Sequence, residues 1–205
     1  MTTPKIVVFD LGKVLVDFDY GIAAKNLAKH CRRTADEITG FIAASPLLFR
    51  YETGLVTRQE FFSVVCAETG FSGDIEEFGR FFSDIFAEIG PMVELHASLR
   101  QRRIPTYIFS NTNDLAISHI RRNFPFFNNF DGYILSYEVG AMKPEPKIYD
   151  ALEKLSRRRG SEVLYLDDRP ENVEAGAARG WQVILQETPE KSRAAIEKLG
   201  LLNHI

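Results

Sequence analysis

Five short runs of apolar residues, mostly β-branched or aromatic, recur along the chain between turn-forming residues. Such continuous runs are typical of strands that are buried on both faces of a sheet. They are residues 5–9 (KIVVF), 104–109 (IPTYIF), 131–136 (DGYILS), 163–166 (VLYL) and 182–185 (QVIL). Between and after the later runs, apolar residues recur at helical spacing, over 114–122, 145–158, 171–179 and 189–200. Strands that alternate with helices predict βαβ crossovers and a mostly parallel sheet.

The interval between the first and second runs breaks this alternation. It spans residues 10–103, whereas a complete βαβ unit needs only about 30 residues. Within it, residues 20–89 show helical patterns only. Two capping-box signatures, which mark helix starts, occur there: Thr34 with Glu37, and Thr57 with Glu60.

The pair Gly90-Pro91 ends this helical stretch, and a core-type helix follows it. We therefore predict an α/β fold: a Rossmann-like parallel-sheet core with three α/β/α layers, and an α-helical cap inserted after the first strand. Residues 1–16 and 90–205 are expected to form the core domain, and residues 17–89 the cap domain.

Composition narrows the function classes. The 205 residues are 45% hydrophobic and 26% charged, as in ordinary globular proteins, and the net charge of −3 argues against a nucleic-acid partner. No apolar stretch approaches the ~18–20 residues of a membrane span. The N-terminus lacks a secretory signal, and Cys31 and Cys66 show no pairing pattern. We expect a cytoplasmic protein without nucleic-acid or membrane partners, either a monomer or a homodimer.

Polar residues stand where the predicted strands end. Asp10 follows the first strand, Ser110 and Asn111 follow the second, and the pair Asp167-Asp168 follows the fourth. Lys143 lies in the loop after the third strand. Ligands of open α/β sheets bind at the carboxyl ends of the strands, so these side chains are expected to share one crevice.

This set of side chains has a definite chemistry. Carboxylates that meet at one crevice repel each other unless a cation joins them, and Mg²⁺ prefers such hard oxygen ligands. A lysine and a hydroxyl beside them suit a phosphate dianion. A strand-end aspartate can then attack phosphorus and form an aspartyl-phosphate.

The same residues carry a resemblance to a known family. The segments FDLGKVLVD, IFSN, AMKPEP and YLDDRPEN resemble the four ordered motifs of the haloacid dehalogenase-like (HAD) hydrolase superfamily. The resemblance covers essentially the whole chain, including a helical cap between the first two motifs. It implies the phosphatase-type subgroup with this cap, a Mg²⁺ cofactor, and a small phosphorylated metabolite as substrate.

The resemblance also implies roles in phosphate chemistry for four residues. Asp10 corresponds to the nucleophile. Ser110 and the backbone amide of Asn111 would hold the transferring phosphoryl group. Lys143 would neutralise that group and orient Asp10.

The metal site is implied in the same way. Asp10, Asp168 and the backbone carbonyl of Gly12 would bind Mg²⁺. Asp167 would contribute indirectly, through a water ligand of the metal. Asn172, at the last position of the fourth motif, would support the site by hydrogen bonding.

Gly12 departs from the pattern of the family's phosphatases, which carry a second aspartate there as general acid and base. Such a group typically contributes 10²–10⁴-fold to the rate. Three interpretations stay open: a phosphatase, including one for sugar phosphates, in which water or a cap residue replaces the missing acid; a dehalogenase-type hydrolase; or a weak or inactive protein that binds phosphorylated ligands or a partner. We expect Gly12→Asp to raise turnover if its carboxylate fits.

In the cap, residues 50–52 are a candidate segment for substrate specificity.

Overall fold

A parallel β-sheet forms the centre of the computed structural model, which describes residues 2–202. The strands in this range are β1 (Ile6–Phe9), β2 (Val16–Phe18), β3 (Phe86–Glu88), β4 (Thr106–Ser110), β5 (Gly132–Leu135), β6 (Val163–Asp167) and β7 (Gln182–Leu185). Five of them form the sheet in the order β5-β4-β1-β6-β7, with every neighbouring pair parallel. All five predicted strands are confirmed, and so is the parallel sheet.

Helices cover both faces of this sheet. They are α6 (Gly90–Gln101), α7 (Asp114–Asn123), α8 (Ser136–Val139), α9 (Pro146–Ser156), α10 (Pro170–Ala178) and α11 (Pro189–Lys198), with 3₁₀ turns at Pro125–Asn129 and Gly160–Glu162. Side chains alternate between the faces along β1: Val7 and Phe9 pack with α6, α7 and α11, while Ile6 and Val8 pack with α9. The α/β/α layering is therefore confirmed. No helix in the described range is both long and apolar enough to cross a membrane.

Between β2 and β3 the chain forms a helical segment, residues 20–83. Its helices are α1 (Tyr20–Ala28), α2 (Ala35–Ala44), α3 (Leu47–Glu52), α4 (Arg58–Thr69) and α5 (Ile75–Ser83). Both predicted capping boxes are present, and a third, formed by Asp74 and Glu77, starts α5. The segment has an aromatic core of its own, in which Tyr51 stacks on Phe61 with ring centroids 4.4 Å apart.

The chain enters and leaves this segment through a two-stranded antiparallel ribbon of β2 and β3. Val16 pairs with Glu88, and Phe18 pairs with Phe86. The expectation of helical patterns only through residue 89 is thus wrong for Phe86–Glu88, because so short a strand shows no periodicity and its partner is distant in sequence. The division into core and cap domains stays a prediction, and Met1 and residues 203–205 of that core lie outside the described range.

Candidate active site

The carboxyl ends of the sheet strands open into a cavity of about 240 Å³. The site residues predicted from the sequence that line it are Asp10, Gly12, Ser110, Asn111, Lys143, Asp168 and Asn172. Asp167, which is completely buried, is the exception. Residues of the ribbon and the helical segment also line the cavity: Val16, Phe18, Tyr20, Leu48, Glu52 and Phe86. The sheet edge therefore brings the predicted residues together, and the helical segment encloses them.

Asp10 lies directly beyond the central strand β1 and is buried at the base of the cavity. Its backbone N–H donates to the carbonyl of Leu166 in β6 at 2.9 Å, which continues the sheet one residue past the strand. Its Oδ1 accepts from the backbone N–H of Leu11 at 2.7 Å and lies 2.9 Å from Lys143 Nζ. Burial raises the pKa of Asp10 to about 7, against the opposing effect of Lys143.

Lys143 places a buried cation beside Asp10. Its Nζ lies 2.9 Å from Asp10 and 2.7 Å from Asp167, and it donates to the carbonyl of Phe109 at 2.8 Å. Burial alone would lower the pKa of Lys143, but the two carboxylates outweigh it and the net shift is upward. Asn111 fixes the loop: its side-chain amide donates to the Lys143 carbonyl at 3.0 Å and accepts from the Lys143 N–H at 2.8 Å.

Asp167 is saturated by donors from the protein. It accepts hydrogen bonds from Lys143, from the Tyr165 hydroxyl, from Asn172 Nδ2 at 3.0 Å and from the backbone N–H of Arg169 at 2.9 Å. Burial would raise the pKa of Asp167, but Lys143 and these donors lower it overall. Asp167 therefore positions Lys143. Tyr165 is not among the site residues predicted from the sequence, although its place two residues before Asp167 puts both side chains on one face of β6.

The acidic side chains form a cluster that suits a metal ion. One carboxylate oxygen from each of Asp10, Asp167 and Asp168 lies within 4.8 Å of the others. Burial, reinforced by Asp167, raises the pKa of Asp168. Beside them, Asn172 Oδ1 is buried and has no hydrogen-bond partner among residues 2–202. Crowded carboxylate and amide oxygens are the hard ligands that Mg²⁺ prefers, so the donor set fits this ion.

Gly12 lies against an aromatic ring, a contact that the sequence does not predict. A Cβ atom at Gly12 would lie 2.7 Å from Cε1 of Phe18. The Phe18 ring packs edge-on against Tyr20, with 5.5 Å between the ring centroids, and at a tilt against Phe86, with 6.1 Å between them. The space beside the predicted nucleophile is thus taken by an apolar wall. No local sequence signal indicates it, because the loop geometry between the two residues decides it.

Of segment 50–52, Glu52 reaches the cavity. Its Oε1 accepts a hydrogen bond from the Tyr20 hydroxyl at 3.3 Å, and the side chain of Asn113 lies beside the same carboxyl group. Its backbone carbonyl accepts from the Ser136 hydroxyl at 2.5 Å. Burial raises the pKa of Glu52 to about 7, and the Tyr20 and Asn113 side chains only partly offset this rise. Arg50 is exposed and does not line the cavity.

The helical segment is docked on the loop after β4 by a polar contact around Asp114, the first residue of α7. Tyr51 donates its hydroxyl to Asp114 Oδ1, and Arg58 Nε donates to Oδ2 at 2.7 Å. The Arg58–Asp114 pair is about one-third exposed. These contacts hold α3, and with it Glu52, against the sheet edge.

Comparison with known proteins identifies relatives with the same organisation. The family profile of the haloacid dehalogenase-like hydrolases matches residues 4–180. A D-ribitol-5-phosphate phosphatase from Bacteroides thetaiotaomicron is 28% identical over 190 residues, which are 89% of this chain and 92% of that protein. A sesquiterpene phosphatase from Aspergillus oryzae is 24% identical and covers 87% of this chain and 88% of its own length.

A solved structure shows the same fold. A HAD family enzyme from Bacteroides thetaiotaomicron, in complex with magnesium and inorganic phosphate, superimposes with a TM-score of 0.77 at 25% identity. The match covers 88% of this chain and 93% of that one. Together with the family match over most of the sequence, this shows that the chain belongs to the haloacid dehalogenase-like hydrolases.

Proposed function

We propose that this enzyme is a Mg²⁺-dependent phosphatase that hydrolyses a small phosphorylated metabolite through an aspartyl-phosphate at Asp10. The observation that carries the proposal is the buried arrangement in which Lys143 Nζ lies 2.9 Å from Asp10 and 2.7 Å from Asp167. It sets a fixed positive charge beside a carboxylate at the base of a small cavity. That is the environment in which a phosphate dianion meets an aspartate nucleophile with reduced repulsion.

The reaction has two displacement steps. In the first, an Asp10 oxygen forms a bond to phosphorus, and the bond between phosphorus and the leaving alcohol oxygen breaks. In the second, water attacks the same phosphorus, the bond to Asp10 breaks, and inorganic phosphate leaves. Ser110 and the Asn111 backbone amide hold the phosphoryl oxygens, while Lys143 neutralises them throughout.

Asp10, Asp168 and the Gly12 carbonyl would hold the metal ion. A bound Mg²⁺ would shield the negative charges of nucleophile and phosphate from each other. Asp167 keeps Lys143 in place, and Asn172 donates to Asp167. The magnesium and phosphate complex of the Bacteroides enzyme supports this assignment.

For the substrate we propose a phosphorylated sugar or polyol. The support is the similarity to the D-ribitol-5-phosphate phosphatase of Bacteroides thetaiotaomicron, which matches this chain over nearly its full length. A cavity of about 240 Å³ lies below the usual ~300–1,000 Å³ of sites for drug-sized ligands, which suits a small metabolite. Tyr20 and Glu52 come from the helical segment and place two polar groups in the cavity lining. These groups would be hydrogen-bonding partners for the hydroxyl groups of the substrate.

We further propose that the helical segment acts as a mobile cap, anchored through the ribbon of β2 and β3. Its residues Tyr20, Leu48 and Glu52 line the cavity together with the sheet edge, so the cavity is complete only when the segment is docked. Closure over a bound substrate would exclude water from the reacting phosphorus and let these side chains select the alcohol part.

The test is phosphate release from a panel of sugar and polyol phosphates, including D-ribitol 5-phosphate, and from an aryl phosphate. Each is assayed with Mg²⁺ and with chelator. Asp10→Asn is compared with Asp36→Asn, which changes an exposed aspartate of α2. We expect metal-dependent release that the first variant abolishes and the second leaves unchanged.

Other outcomes separate the remaining interpretations. Metal-independent halide release from a 2-haloacid would establish the dehalogenase. Saturable binding of phosphorylated ligands without release would establish the binding protein. Full activity of Asp10→Asn would contradict the mechanism itself.

A further inference from the structure

The proposed phosphatase lacks an acid beside its nucleophile. Breaking the bond from phosphorus to an alcohol oxygen leaves an alkoxide unless a proton arrives, and a sugar or polyol is a poor leaving group without one. Gly12 offers no side chain for this, and the adjoining space holds the Phe18 ring, 2.7 Å from the place of a Cβ. The inference below rests on the proposed function.

The side chains that line the cavity limit which carboxyl group could protonate the leaving oxygen. Among the residues that the structure describes, three carboxylate side chains line it: Asp10, Asp168 and Glu52. Asp10 is the nucleophile, and Asp168 shares the metal cluster with it. Glu52 stands apart from that cluster and comes from the helical segment. None of the histidines and cysteines within residues 2–202 lines the cavity.

Burial favours the protonated form of the Glu52 carboxyl group, and two uncharged neighbours hold it in one place. Its neighbours are the Tyr20 hydroxyl at 3.3 Å and the amide side chain of Asn113, both uncharged. Asn113 is itself fixed, because its Oδ1 accepts from the backbone N–H of Ala116 at 3.0 Å. Ser136 anchors the backbone of Glu52 at 2.5 Å. The raised pKa of about 7 agrees with this environment and lies where a general acid and base work best near neutral pH.

The cavity is small, and both Asp10 and Glu52 line it. A space of about 240 Å³ holds little more than a small phosphate ester. A substrate whose phosphorus lies at Asp10 therefore has its alcohol part in the same small cavity that Glu52 lines.

We propose that Glu52 is the general acid and base of this enzyme, supplied by the helical segment in place of the side chain absent at Gly12. In the first step the Glu52 carboxyl group gives its proton to the leaving oxygen, which departs as an alcohol, and Glu52 becomes a carboxylate. In the second step this carboxylate takes a proton from the attacking water as the bond from phosphorus to Asp10 breaks. The cycle ends with inorganic phosphate and a protonated Glu52.

The experiment compares Glu52→Gln with the unchanged enzyme over phosphate esters whose leaving groups range from alkyl alcohols to nitrophenol. Glu68→Gln, an exposed glutamate of α4, is the matched control. We expect Glu52→Gln to slow alkyl phosphates by about 10²–10⁴-fold. Nitrophenyl phosphate needs no proton on its leaving group, so it should still give a burst of about one nitrophenol per active site. Slow turnover should follow the burst, because the base for the water attack is gone.

Several results would overturn this inference. Glu52 has a role other than proton transfer if Glu52→Gln slows all esters equally and shows no burst. The same conclusion follows if the substitution raises only KM, or if it leaves the rates unchanged. The native fold of the variant is checked by its thermal midpoint and by retained binding of inorganic phosphate. If Asp10→Asn equals the unchanged enzyme, the proposed function fails; if Asp10→Asn is inactive and Glu52→Gln fully active, this inference alone fails.

Discussion

Gly12 and the Phe18 ring occupy adjacent space, so that a Cβ atom on Gly12 would lie 2.7 Å from Cε1 of Phe18. Tyr20 and Phe86 pack against the ring, and Lys13 Nζ lies 4.9 Å from its centre. The ring therefore cannot move freely to admit a larger residue. An aromatic ring therefore fills the space next to position 12, two residues after the predicted nucleophile.

This contact restricts the expected gain from Gly12→Asp. We predict that the single substitution lowers the free energy of unfolding by about 1–3 kcal/mol, as overpacking does, and raises no turnover. Gly12→Asp combined with Phe18→Ala should turn over an aryl phosphate faster than Phe18→Ala alone. Gly12→Ala adds the same Cβ without the carboxylate and should be equally destabilised. The prediction would be contradicted if Gly12→Asp alone were as stable as the unchanged protein in urea unfolding.

Lys143→Met should be strongly destabilising, because it leaves Asp10 and Asp167 buried without their cation. Breaking a buried pair in this way typically costs about 3–5 kcal/mol. We expect a loss of this size in urea unfolding with chelator present, against little change for Lys147→Met, an exposed lysine of α9. Adding Asp167→Asn to Lys143→Met should cost less than the sum of the two single substitutions. Additive losses would show that the pair is not coupled.

Glu52 should make stability depend on pH. Its pKa rises from the usual 4.5 to about 7 on folding, so the folded protein holds a proton that the unfolded chain releases. The resulting stabilisation is complete below pH 4.5 and is lost as the pH rises through 7. Between pH 4.5 and 7, the free energy of unfolding of the unchanged protein should therefore fall by about 1–3 kcal/mol relative to that of Glu52→Gln. Denaturant unfolding at a series of pH values measures this difference. The difference in free energy of unfolding between the unchanged protein and Glu68→Gln should not change with pH. If the difference from Glu52→Gln is also independent of pH, the pKa of Glu52 is not raised by folding.

Asp114→Asn should loosen the docking of the helical segment with little loss of global stability. The ion pair to Arg58 is partly exposed, and such pairs contribute only about 0–1 kcal/mol. Local opening is more sensitive, so amide hydrogen exchange should accelerate in α3 while α9 stays unchanged. Asp150→Asn, which removes an exposed partner of Arg179, serves as the control. Unchanged exchange in α3 would show that Tyr51 and Arg58 do not hold it through Asp114.

The fold and the convergence of the site residues were predictable from the sequence. Buried parallel strands have a local pattern, and the rule that ligands bind at their carboxyl ends then places Asp10, Ser110 and Asp168 at one edge. The α/β fold and the assignment to the HAD-like hydrolases are confirmed. The catalytic and metal-binding roles of these residues stay predictions.

The contribution of the helical segment was not predictable to the same depth. Which residue of α3 faces the cavity depends on contacts between distant positions: Tyr51 meets Asp114 across 63 residues, and Ser136 meets Glu52 across 84. The pairing of β2 with β3 is equally non-local. Helical periodicity shows which face of a helix is apolar, but not which end of the helix reaches a neighbouring domain.

The ribbon of β2 and β3 turns the whole insertion into the loop of a β-hairpin. The chain leaves at Phe18 and returns at Phe86, directly across from it, so residues 19–85 begin and end at one point. The entropy lost on closing such a loop grows only with the logarithm of its length. Lineages can therefore lengthen, shorten or exchange the loop, and with it Tyr20, Leu48 and Glu52, while the sheet keeps Asp10 in register.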